Sequence, residues 1–192
     1  LAAGVELDPL VISMAHAHMG LPRGDPSRRV IGNWDARAAL RPLTKESRRW
    51  DQIVIDVYAN QVEIPAHLAT LEFFHEASDL LVAGGWLQVN VGAMSWDDPL
   101  AKAIGATLAE VFGQRTLALE VPFSRNVILN QRLGAPLIDP LDPEFLASAE
   151  ALAALTQRSR LPGTWGYVAA GDAQHLSDRH APLEALQRKS VY

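Results

Sequence analysis

The stretch DQIVIDVYAN, residues 51–60, decides the reading of the fold. Ile53-Val54-Ile55 is a continuous apolar run, which suits a strand covered on both faces, and it stops at an acid, Asp56. An aromatic, Tyr58, and an amide, Asn60, follow at once. A strand that delivers a carboxylate at its C-terminal tip is what a ligand-binding parallel sheet requires, because ligands of such sheets sit beyond the C-terminal ends of the strands.

Working outward from this strand, placed at Gln52 to Asp56, the elements alternate. Leu1 to Leu7 predicts a strand, and Asp8-Pro9 carries the N-cap and first-turn signature of a helix that runs to about Met19 and stops at Gly20. Arg29 to Ile31 predicts a short strand, and Asp35 caps a short helix from Ala36 to Leu40. Thr70 caps a helix with Leu71, Phe74, Ser78 and Leu81 on one face, ending at Gly84-Gly85. Trp86 to Val91 is a strand, and Asp98-Pro99 opens a helix to about Phe112.

The rhythm then changes. Thr116 to Val121 and Asn126 to Asn130 are two strands separated by Pro122-Phe123-Ser124-Arg125, which predicts an antiparallel pair. Asp142-Pro143 starts a late helix and Pro182 a last one. Strands alternating with helices imply parallel βαβ units buried on both faces. The fold class that results is α/β: a Rossmann-like, class I methyltransferase-type sheet, mostly parallel, closed by a C-terminal antiparallel hairpin. With no internal repeat and no convincing linker, residues 1–192 read as one domain.

Bulk properties narrow the function. The 192 residues can bury a sizeable core, and 48% hydrophobic against 20% charged residues is a globular balance. With a formal net charge of -5, nothing suggests a phosphate-binding surface, and nucleic acid is not an expected partner. No apolar run approaches the ~18 residues that span a bilayer. The chain has no cysteine, which excludes disulfides and thiolate metal sites and makes a cytoplasmic enzyme the default. His16 and His18, two apart on a helix, point to different faces, and the other histidines have no metal-site spacing, so no metal is expected. There is no Gly-x-Ser-x-Gly elbow and no GxxxxGK[ST] loop. The chain opens at Leu1, without methionine and inside a strand, which reads as the C-terminal part of a longer protein.

The residues at strand tips are acids: Glu6, Asp35 and Asp56. Glu6 can accept from both ribose hydroxyls, since a carboxylate has only acceptor sites, or it can support the next helix N-terminus. Asp35 can accept from an adenine amino group, cap the helix that starts at Ala36, or do both. Asp56 is either a turn former or the acid of an active site, and the long connection VYANQVEIPAHL that follows it, with no strong periodicity, suits an active-site loop.

GVELDP, GNWDARAAL, DQIVIDVYAN, PAHLATLEFF and GGWLQVNV, in that order and spacing, resemble successive motifs of the spermidine synthase (polyamine aminopropyltransferase) family, and LSDRHAPLEAL is similar to the closing segment of its bacterial members. The resemblance implies transfer of an aminopropyl group from decarboxylated S-adenosylmethionine to a polyamine acceptor, with release of methylthioadenosine. By position, Glu6 matches the ribose acid, Asp35 with Ala36 the adenine-contacting pair, and Asp56 the acid that accepts the amine proton. Tyr58 stands where it can help to position the amine. Pro65, Ala66 and Leu68 match the segment after the gate over the nucleoside, with Thr70, Glu72, Phe73 and Phe74 opening its helix. No cofactor is held permanently: decarboxylated S-adenosylmethionine, or S-adenosylmethionine, is a co-substrate. The implied partners are a small nucleoside and an amine, with a homodimer as one arrangement open to the chain.

The sequence departs from that pattern in stated places. The second acid that the family carries three residues after the first is Ala59 here. The first strand of the family's sheet, the Gly-rich turn after it and the small N-terminal β domain have no counterpart in the sequence. Two further readings therefore stand beside the first: an S-adenosylmethionine-dependent methyltransferase of the same fold, and a catalytically silent nucleoside-binding domain.

Overall fold

The structure, a computed structural model, describes residues 2–58, 64–139, 142, 161–169, 171 and 173–191. The chain packs as two compact units, Leu1–Arg48 and Arg49–Tyr192.

In the first unit, β1 (Ala2–Glu6) pairs in parallel with β2 (Arg28–Gly32), from Ala2 opposite Arg28 to Glu6 opposite Gly32. A parallel pair needs a crossover, and α1 (Pro9–His18) supplies it. Asp8 caps α1 by accepting from the Leu10 N–H at 2.8 Å, and Pro9 occupies the first turn, where its missing N–H has no intrahelical role. The helix α2 (Ala36–Lys45) runs five residues beyond the predicted end at Leu40, straight through Pro42. Proline removes a hydrogen bond and crowds the carbonyl four residues back. Burial of Ala39 and Leu43 on one face, on either side of the proline, carries the helix past it.

Among the described residues, the second unit holds a five-stranded sheet. β3 (Trp50–Ile55) pairs in parallel with β4 (Leu81–Val91), and β6 (Val127–Arg132), β5 (Leu117–Glu120) and β7 (Trp165–Tyr167) continue antiparallel, in the order β3-β4-β6-β5-β7. The predicted hairpin is present, with Leu117 opposite Asn130. β7 was not expected from the sequence. Its three residues become a strand only by pairing with β5.

Among the described residues, the helices of this unit are α3 (Leu71–Ser78), α4 (Pro99–Phe112) and α5 (Leu183–Val191). The helix expected from Pro143 lies outside the described residues. α4 packs on β6, α3 and α5, while α3 packs on β4. The core they enclose includes Leu87, Val89, Val91, Leu129, Leu100, Ile104 and Leu108, all at most 1% exposed. Truncating Ile104 to alanine would remove contacts on every side, at about 2–5 kcal/mol.

Two expectations are corrected here. α3 ends at Ser78, well before Gly84-Gly85, and those glycines lie inside β4. The pairing of β3 with β4 jumps from Trp50–Leu81 to Gln52–Trp86. Gly84 takes a φ of +77° there, and a Cβ on Gly85 would lie 2.9 Å from the Val82 carbonyl oxygen. The pair therefore bends a strand rather than stopping a helix. Nor is the sheet buried evenly on both faces. Along β4, buried Leu87, Val89 and Val91 alternate with half-buried Trp86, Gln88 and Asn90, and Val54 on β3 is 60% exposed. Amides fill this second face: Gln52 donates to Gln88, Gln88 to Asn130 at 2.8 Å, and Asn130 to the Ile128 carbonyl at 2.9 Å. Among the described residues, no helix is long and apolar enough to cross a membrane.

Candidate active site

Each unit places acids at the C-terminal edge of a parallel strand pair. In the first unit, Glu6 is the last residue of β1, and its Oε1 accepts from the Asp8 N–H at 2.9 Å. Asp35 follows β2 by three residues. Its Oδ1 accepts from the N–H groups of Arg37 and Ala38, both at 3.0 Å, so the capping role is realised. Ala36 is the first residue of α2, and Trp34 beside it is 47% exposed.

In the second unit, Asp56 comes directly after Ile55, a residue only 5% exposed that anchors the tip of β3. Asp56 itself is exposed. Its Oδ1 accepts from Nδ2 of Asn90, on the neighbouring strand, at 2.9 Å. An acceptor that carries a full charge makes this the stronger kind of hydrogen bond. The half-buried Tyr58 donates from its hydroxyl to Oδ1 of Asn126 at 3.5 Å, and Asn126 Nδ2 donates to Ser124 Oγ at 2.6 Å. Burial, and secondarily the charge of Asp56, push the Tyr58 phenol up to about 12. It therefore stays a neutral donor through the physiological range.

The segment beyond is structural in its contacts. Residues 59–63, and with them Ala59, lie outside the described residues. After Pro65 the chain makes one tight turn, Ala66–Leu68, which buries Leu68. Thr70 caps α3 by accepting from the Phe73 N–H at 3.3 Å. Phe73 and Phe74 lie in the core with ring centroids 5.6 Å apart, and Glu72 accepts from the Asp178 N–H at 3.0 Å. Among the described residues there is no group of three or more histidine, cysteine or acidic side chains that could hold a metal ion.

The sequence singles out Asp56 and Tyr58 but not Asn90, which donates to Asp56, or Asn126, which accepts from Tyr58. The one signal was alternation in WLQVNV, where amides at Gln88 and Asn90 interrupt a strand read as apolar on both faces.

No family model matches the chain. Over 187 residues it is 30% identical to the polyamine aminopropyltransferase of Vibrio vulnificus (strain CMCP6), an alignment that covers 95% of the chain and 60% of that protein. The chain is a homologue of the polyamine aminopropyltransferases. A probable polyamine aminopropyl transferase of Bifidobacterium longum (strain NCC 2705) is also 30% identical, over 125 residues that make up 64% of this chain and 26% of that one. The chain thus spans about a quarter of one curated relative and 60% of the other. In three dimensions it matches a probable spermidine synthase from Corynebacterium glutamicum ATCC 13032 with a TM-score of 0.66 and 25% identity, covering 94% of this chain and 64% of that one. Human methyltransferase-like protein 13 in complex with SAH matches at 0.64 and 22% identity, covering 81% and 70%. That second likeness is one of fold, and with the first it makes the chain α/β and Rossmann-like, of the class I methyltransferase type.

Proposed function

We propose that the chain carries the transfer site of a spermidine synthase-like aminopropyltransferase, acting on decarboxylated S-adenosylmethionine and an amine. One observation carries the reading: in a homologue of these enzymes, an exposed carboxylate at a strand tip is held by an amide from the next strand, beside a protonated phenol. Asp56 is then the proton acceptor and Tyr58 a wall of the amine site. Glu6 holds the ribose, and Asp35 with Ala36 meets the adenine.

The chemistry balances as a displacement. The amine nitrogen forms a bond to the aminopropyl carbon next to sulfur, the carbon–sulfur bond breaks, and its electron pair neutralises the sulfonium as methylthioadenosine leaves. The surplus amine proton passes to Asp56. In water a free carboxylate lies roughly 6 pK units below an alkylammonium, so that transfer is uphill by about 9 kcal/mol. The site must therefore strip water from the amine and align it with the carbon before the proton moves.

Ala59 favours a second reading, a nucleoside-binding domain without turnover, because the family's second acid is replaced by a methyl group. Incubation with decarboxylated S-adenosylmethionine and a panel of amines, followed by mass spectrometry for methylthioadenosine, separates the two. The expected result is turnover that falls by roughly 10²–10⁴ in Asp56→Asn. Nucleoside binding with no turnover on any amine supports the silent domain. Production of S-adenosylhomocysteine from S-adenosylmethionine would instead support a methyltransferase.

A further inference from the structure

Asn90 is a polar residue where the sheet would accept an apolar one. Its neighbour across the antiparallel ladder is Ile128, and the buried Val89 and Val91 flank it on β4. Its Nδ2 donates to Asp56, but its Oδ1 is buried and has no hydrogen-bond partner among the described residues. A bare buried amide oxygen is destabilising. Exchanging the two amide atoms would not relieve this. It would bury the nitrogen in the same bare place and set the oxygen against the carboxylate of Asp56.

The charge of Asp56 therefore dictates how Asn90 sits. Gln131 also leaves its amide oxygen buried and bare, but its nitrogen serves Thr116 and the Gln114 carbonyl, so its bonds tie the core and meet no acid. At Asn90 the one bond formed goes to an exposed residue, which water could serve equally well. Unsatisfied buried groups of this kind gather at functional sites, where local stability is given up for geometry.

We propose that Asn90 is a positioning residue for the transfer reaction. It fixes one carboxylate oxygen of Asp56, so that the other is presented to the amine that attacks. The proposal rests on the reading of Asp56 as proton acceptor. Asn90 touches neither the reacting carbon nor the sulfur, and it acts through Asp56 alone.

The test uses Asn90→Leu, Asn90→Gln, Asp56→Asn and the double variant Asn90→Leu/Asp56→Asn in the intact protein. Leucine has the same branched shape without the bare oxygen, so Asn90→Leu should raise the melting temperature, by about 2–4 °C. Its kcat should nevertheless fall about tenfold, with the KM for decarboxylated S-adenosylmethionine unchanged. Asn90→Gln retains a donor and should restore part of kcat. The double variant should be no slower than Asp56→Asn, because the effect passes through one carboxylate. A lower melting temperature in Asn90→Leu overturns the proposal by itself, since the amide would then be structural. An unchanged kcat in Asn90→Leu, alongside a large loss in Asp56→Asn, overturns the proposal and leaves the role of Asp56 standing. Full turnover in Asp56→Asn overturns both.

Discussion

Thr70 Oγ1 donates to Asp178 Oδ1 at 2.7 Å, across 108 residues of sequence. Asp178 in turn donates its backbone N–H to Glu72, and the Leu71 N–H donates to the Leu176 carbonyl at 2.8 Å. The tail segment thus clamps the first turn of α3, whose N–H groups have no partner within the helix itself. Thr70 is 1% exposed, so its hydroxyl has no water to fall back on.

Asp178→Ala should therefore destabilise the chain by about 1–3 kcal/mol, the range for a buried hydroxyl that loses an ionised partner. Thr70→Val should cost a similar amount, and the two together should cost less than their sum. Thermal denaturation of the three variants measures this directly. Strict additivity would mean that the two side chains do not depend on each other.

Asp35 separates its two roles by a change of length. Serine caps a helix about as well as aspartate, so Asp35→Ser should keep stability within roughly 0.5 kcal/mol, whereas Asp35→Ala should lose about 1 kcal/mol. A serine hydroxyl is too short to reach a base beyond the cap, so adenine recognition should weaken in both variants. Methylthioadenosine titrations paired with melting curves test this. A Ser variant with full affinity would leave Asp35 as a helix cap alone.

How far the sequence revealed this architecture depended on how local each cause was. The starts of α1, α3 and α4 were legible because Asp8, Thr70 and Asp98 each bond an N–H two or three residues on. The tip of β3 was legible because an apolar run ends at a charge. Gly84-Gly85 was misread because a glycine pair looks the same whether it stops a helix or bends a strand, and only the shifted pairing with β3 decides. β7 has no signal of its own in Trp165-Gly166-Tyr167 and exists through its partner. The alternation in WLQVNV marks Asn90 as polar but does not tie it to Asp56, for a like reason. Its role comes from Asp56, 34 residues earlier, which reaches it only once the strands are side by side.

Glu6 has one oxygen engaged with the Asp8 N–H, a bond that glutamine can reproduce with its own oxygen. Glu6→Gln should accordingly leave the melting temperature almost unchanged. An amide brings one oxygen fewer to the ribose, and a charge-assisted bond to a hydroxyl is worth ~1.5–3 kcal/mol. Methylthioadenosine affinity should fall by about one to two orders of magnitude. Calorimetric titration measures it, and equal affinities would return Glu6 to a role at the helix start.

Tyr58 reports on Asp56 without any substrate. Burial raises its phenol to about 12, with the negative charge of Asp56 adding to the effect. Asp56→Asn removes that charge, so the Tyr58 titration should move down toward, but not reach, the ordinary tyrosine value near 10. Burial, the larger cause, is left in place. The sign for stability follows from the same shift. The folded chain holds the Tyr58 proton more tightly than the unfolded chain, so the contribution is complete below pH 10 and is lost as pH rises through about 12. Wild type should lose stability over that window, and Asp56→Asn should lose less. Phenolate absorbance followed against pH, with Tyr58→Phe subtracted to remove the other tyrosines, gives the titration, and melting curves at matched pH give the stability. A Tyr58 titration that ignores Asp56→Asn would place the carboxylate too far away to act on the phenol, and Tyr58 would then be a packing residue with no part in an amine site.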